Sequence, residues 1–219
     1  MSQYDDEFKN VKHGLPSENK TQQAKFNFFA LFAVVGVIFA IFILLFGQTI
    51  NTAGQQLNTI GGNSPAQMIS VATLALLVGS IQSWVFKARI KSRALLYIFF
   101  SILGGAVAGL FGGILMNSGL NYGAGNGFIV GGVTGAIAGG ISSLAQNGVM
   151  NNSRYGSKWF GYSFFSWAIT FAIGFAISWG LRGAVDETIS LALSAAFLMI
   201  SSGIALVIFL NNTPQIEFS

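Results

Sequence analysis

The chain has 219 residues, of which 53% are hydrophobic and only 8% charged, against roughly 25% charged in a soluble domain. That balance excludes a water-soluble globule and a disordered polar chain, and leaves an all-α helical bundle in a lipid bilayer. The formal net charge of +4 does not indicate nucleic acid, because no basic residue repeats along a helix or interleaves with stacking aromatics, and the lack of cysteine excludes disulfides, thiolate metal sites and Cys nucleophiles.

Residues 1–25 are polar and place Asp5, Asp6 and Glu7 ahead of any apolar run. A secretory signal begins basic and turns apolar quickly, so this stretch is expected to remain as a cytoplasmic tail. Six apolar stretches then reach the ~20 residues that a helix needs to cross a bilayer. They run over about 26–46, 65–86, 94–116, 127–146, 159–180 and 187–210, inside a transmembrane domain spanning 26–210. The second is expected to start at Ser64-Pro65, a cap residue before a proline, and the sixth after Asp186, whose carboxylate can cap free N–H groups. The connection from Gly47 to Gln67 is polar and uncharged; it is read as a loop with room for a short interfacial helix. Residues 211–219 form a short cytoplasmic tail.

Basic residues set the expected orientation. Lys9, Lys12, Lys20 and Lys25 precede the first span, Lys87, Arg89, Lys91 and Arg93 follow the second, and Arg154 and Lys158 follow the fourth. The intervening loops carry none except Arg182, beside Asp186 and Glu187. Basic residues mark the cytoplasmic side, so both termini are expected there. Trp84, Trp159 and Trp179 fall near span ends, where amphipathic rings settle among lipid headgroups.

The glycine spacing is the strongest local signal. Gly105, Gly109 and Gly113 in the third span and Gly127, Gly131, Gly135 and Gly139 in the fourth recur every four residues. Four residues is about one helical turn, so each set makes a flat ridge on which another helix can lie closely. Three uses are open: packing of the third and fourth spans on each other, a face for another subunit or for self-association, and a narrow pore. In the fifth span Ala168, Ala172 and Ala176 form a second small ridge opposite Phe164, Phe165, Phe171 and Phe175. That arrangement predicts a helix packed on protein through its alanines, with its rings in lipid.

No Asp, Glu, Lys, Arg or His lies at mid-membrane depth, and the one histidine, His13, is in the tail. Ion-coupled pumps and proton relays nearly always need such a group, and no base is present to activate Ser118. An enzyme is therefore not expected, no cofactor is assigned, and no metal site is expected. Neutral polar residues remain in the spans, and Gln82, Thr134 and Ser166 are the candidates for contacting a neutral polar ligand. The expected function is that of an accessory or assembly subunit of a larger membrane complex, acting through the glycine and alanine faces. The alternative is a carrier, channel or substrate-capture component for an uncharged or apolar molecule; a third is a sensor signalling through the N-terminal tail. The expected partners are the lipid bilayer and other membrane subunits or a second copy. A bacterial cytoplasmic membrane is the default location, and a thylakoid or other internal membrane would leave the same marks.

Overall fold

A computed structural model describes residues 18–86, 90–150 and 153–212. The described residues form six α-helices: α1 (Glu18–Gly61), α2 (Asn63–Val85), α3 (Ala94–Asn117), α4 (Ala124–Met150), α5 (Ser153–Gly180) and α6 (Glu187–Asn211). A 3-10 turn at Lys91–Arg93 leads into α3. There is no strand among them, and each of the six helices is long and apolar enough to cross a membrane. The chain is an all-α integral membrane protein. Of the two expected tails, 1–25 and 211–219, residues 1–17 and 213–219 lie outside the described residues, whereas residues 18–25 are already helical as the start of α1.

The helices alternate in direction and form a ring: each packs on its neighbours in sequence, and α6 closes on α1. Phe32, Val71, Tyr97, Ala138, Trp167 and Met199 belong to one contiguous buried core. Leu45, Phe99, Ile129 and Ile169 face outward, as they do where the solvent is hydrocarbon rather than water. One end of the ring carries Arg93 and Lys158 and is called the basic end below; Asp186 and Glu187 lie at the far end.

α1 departs from the expected loop after residue 46. Its helix continues to Gly61 for 44 residues in all, or about 66 Å at 1.5 Å per residue, twice the ~30 Å hydrocarbon thickness. The stretch has no proline before Pro65, and Ile50, Ala53, Leu57 and Ile60 recur at helical spacing, which together favour a continuous amphipathic helix. α1 follows α6 from Phe32, beside Gly203, to Gly47, beside Thr188 at the start of α6. Beyond that point it returns to α2 through one residue, Gly62, so its last turns pass across the far end instead of prolonging the span.

The start of α2 is also corrected. Ser64 does not cap it; the cap position is Gly62, and the Asn63 N–H donates to Asn117 Oδ1 of α3 at 3.0 Å. Gly62 has φ 65°, and the Asn117 amide occupies the place of a Cβ. Glycine tolerates both conditions. The sixth helix begins as expected: Asp186 accepts from the Thr188 N–H at 2.8 Å. This backbone hydrogen bond, first among the causes, holds the Asp186 carboxyl below its ordinary value. A depressed carboxylate stabilises the fold above its unfolded-state pKa and loses that effect as pH falls through the folded-state value. Acidification through that range should therefore raise amide exchange at Thr188–Ser190, and Asp186→Asn should remove the pH dependence while keeping an acceptor.

The glycine ridges are filled within the chain. α3 carries two of them, offset by one residue. Gly105, Gly109 and Gly113 lie against Val71, Gln67 and Ser64 of α2, whereas Gly104 and Gly112 lie against Ser142 and Thr134 of α4. Gly127, Gly131, Gly135 and Gly139 meet the backbone of Phe175, Phe171, Trp167 and Ser163 in α5. A Cβ at Gly139 would stand 2.6 Å from the Ser163 carbonyl oxygen, closer than any carbon–oxygen contact allows. The third and fourth spans do pack as a hairpin, but mainly through the second α3 ridge. The α4 ridge faces α5.

α5 is turned differently from its sequence reading. The row Ser163, Trp167, Phe171 and Phe175 straddles the α4 glycines, with Trp167 stacked on Phe171 at 5.3 Å and Phe171 on Phe175 at 6.1 Å. Phe171 is buried, and only Phe165 is well exposed, at 63%. Ala172 lies 3.6 Å from the position of a Gly132 Cβ, and Ala168 and Ala176 are half-buried on that flank. Bulky rings win the inner face because the glycines opposite leave room for them. Two tryptophans also differ from expectation: Trp159 and Trp179 are 3% and 6% exposed, whereas Trp84 faces outward. The Trp159 indole N–H donates to Gln146 Oε1 at 3.0 Å, a polar partner inside the bundle that draws it inward.

Candidate ligand cleft

α5 and α6 are tied together at the far half. Ser190 donates to the Ser178 carbonyl at 2.9 Å and Ser194 to the Gly174 carbonyl at 2.8 Å. Toward the basic end no such tie joins them among the described residues, and a cleft of about 570 Å³ opens, within the size range of small-molecule sites. Lys158, Tyr162, Ser166 and Thr170 recur every fourth residue on α5 and form one wall; Ser201, Ile204, Ala205 and Ile208 of α6 form the other. Gly161 contributes to the opening, since nothing lies within 4 Å of where its Cβ would stand. Phe165 and Ile169 complete an apolar lining.

Two hydroxyls distinguish this cleft. A helical Ser or Thr usually donates to a carbonyl three or four residues back. Thr134 does so to Val130 at 2.7 Å, Ser143 to Gly139 and Ser202 to Leu198 at 2.7 Å. Ser166 and Thr170 alone among the Ser and Thr residues of the six spans have no hydrogen-bond partner among the described residues. Thr170 is 5% exposed and lines the cleft. Neither hydroxyl oxygen is sealed off, since the buried side-chain polar atom without a partner among the described residues is Asn147 Oδ1, so both face the cleft and can donate to an acceptor that enters it.

The other polar candidates separate. Gln82 and Ser166 line a small inner cavity of about 20 Å³, walled also by Trp159, Tyr162 and Ser202, with room for about one water. Ser166, Tyr162 and Ala205 border both spaces. Gln82 Oε1 accepts from the Tyr97 hydroxyl at 3.3 Å. Thr134 belongs to neither space; it is packed against Gly112 of α3 with its hydroxyl satisfied. Of the three, Gln82 and Ser166 converge and Thr134 does not.

Sequence reasoning passed over Gln146, which joins three helices: its Nε2 donates to Ser101 Oγ at 2.8 Å and its Oε1 accepts from Trp159. It also read Lys158 as an orientation marker only. A second cavity, of about 330 Å³, opens at the far half between α1, α2, α5 and α6. Its Ser70, Thr73 and Ser194 all donate to backbone carbonyls, so they ask nothing of a ligand. Among the described residues no three His, Cys, Asp or Glu side chains cluster as metal ligands would.

No protein-family model, curated protein or solved structure matches this chain.

Proposed function

We propose that the chain is a non-catalytic membrane protein that captures an apolar molecule bearing a hydrogen-bond acceptor in the α5–α6 cleft, as a carrier or substrate-capture component. The observation that carries this reading is the pair of unpartnered hydroxyls, Ser166 and Thr170, one turn apart in a mainly apolar cleft that opens to the outer surface of the bundle. An accessory or assembly role would have to use surfaces other than the glycine ridges, because those are occupied inside the chain. The basic end is placed in the cytoplasm by the positive-inside rule, in a bacterial cytoplasmic membrane or an equivalent internal one.

Gly161→Leu tests the reading. The added side chain enters open space and should leave the helix intact or slightly stabilised, while it fills the cleft. Purified in mild detergent with bilayer extract, the wild-type chain should carry a small-molecule adduct in native mass spectra. The variant should lose at least about tenfold of it, the equivalent of ~1.4 kcal/mol. An adduct absent from the wild type, or held equally by the folded variant, would remove the support for this site.

A further inference from the structure

We infer that the molecule held in this cleft is an anionic amphiphile, with its acidic head at Lys158 and its apolar chain laid along α5 and α6 toward Thr170; the inference rests on the reading of the cleft given above. Lys158 lines the cleft at the basic end and is exposed there. The acidic side chains described, Asp186 and Glu187, both lie at the far end, where Glu187 pairs with Arg182 at 3.6 Å. The ammonium at the mouth therefore has no described carboxylate to neutralise it. An ammonium is a compact point charge that receives carboxylate or phosphate equally well, so the head is defined by charge and not by shape.

The order of side chains along the cleft matches such a molecule. From the mouth inward, α5 presents Lys158, then Phe165, then Ile169, while α6 runs antiparallel with Ile208, Ile204 and Ser201. The charged group lies only at one end. Eight residues separate Lys158 from Ser166 and twelve separate it from Thr170, or on the order of 12–18 Å of helix. An acceptor on the chain, such as a mid-chain carbonyl, would reach these hydroxyls while the head stays at the ammonium. Ser201 already donates to the Phe197 carbonyl at 2.7 Å, so Ser166 and Thr170, with the Tyr162 phenol nearer the mouth, are the hydroxyl donors on offer.

The test uses the full chain in nanodiscs of neutral lipid, with hexadecanoate, hexadecanol and an octadecanoate bearing a mid-chain ketone as probes. The wild type should bind hexadecanoate about five-fold more tightly than hexadecanol, a preference that weakens with added salt. The keto acid should bind more tightly still. Lys158→Gln, an exposed substitution, should abolish the acid-over-alcohol preference. The double variant Ser166→Ala/Thr170→Val should abolish the advantage of the ketone alone. Equal binding of acid and alcohol by the wild type, or a preference that survives Lys158→Gln, overturns the charge assignment and leaves the cleft standing. Failure of all three probes, or binding indifferent to Gly161→Leu, overturns the cleft and this inference together.

Discussion

Alanine at Gly135 is expected to destabilise the bundle by about 1–3 kcal/mol, the range for forcing a methyl into a filled interior. Its Cβ would meet the Trp167 carbonyl oxygen and come within 2.8 Å of Phe171 Cβ. Both belong to or adjoin the α5 backbone, so no flexible chain end can move aside, and the two helices must separate along the contact. Separation forfeits the dispersion and weak Cα–H···O contacts that hold helices together where no hydrophobic force acts between them. Gly131→Ala should behave alike, since its Cβ would meet the Phe171 carbonyl. Gly148→Ala is the internal control. Nothing lies within 4 Å of its Cβ position, and the exchange should be neutral or gain up to about 1 kcal/mol. Unfolding in mixed micelles, followed by circular dichroism, reads all three. A Gly135→Ala chain as stable as the control would mean that α4 and α5 do not meet there.

Gln146→Leu should cost about 1–2 kcal/mol. It removes the acceptor of the buried Trp159 N–H and the donor to Ser101, leaving polar groups unpaired where water is scarce. Interhelical hydrogen bonds in membranes contribute roughly 0.6–1.7 kcal/mol each, so the loss stays modest although two bonds go. A double-mutant cycle with Trp159→Phe isolates the pair: a coupling in that range is expected, and simple additivity would show that the indole does not depend on Gln146. The aromatic cluster around it, Phe86, Trp159 and Phe209, with ring centroids 5.0–6.3 Å apart, should keep Trp159→Phe folded.

The spans were legible because twenty apolar residues without charge have one physical solution, and their ends followed from Asp186 and from the onset of charged or polar residues. The partners of the ridges were not legible. Gly104 and Gly105 are neighbours in sequence but point about 100° apart on a helix, so one motif serves two different helices, and spacing alone does not say which. The same limit misdirected the reading of α5: alanines and phenylalanines on opposite faces define two surfaces, and only the facing glycines of α4 decide that Phe171 goes inward. The arm of α1 past Gly47 was hidden by its polar composition, which suits a loop and a helix at the far end equally. The cleft was legible in part. Ser166 and Gln82 stood out as polar residues at membrane depth, but a hydroxyl without a partner depends on its rotamer and on helices that splay, and neither is written in residue order.

In the proposed function Ser166 and Thr170 hold their hydroxyls free for something that enters between α5 and α6. A density map of the chain purified with its own lipids, sharp enough to show hydroxyl rotamers, tests it most directly. It should show an elongated feature between Phe165 and Ile204, within hydrogen-bond distance of both hydroxyls. A closed seam, with Ser166 bonded back to the Tyr162 carbonyl and Thr170 to that of Ser166, would contradict it.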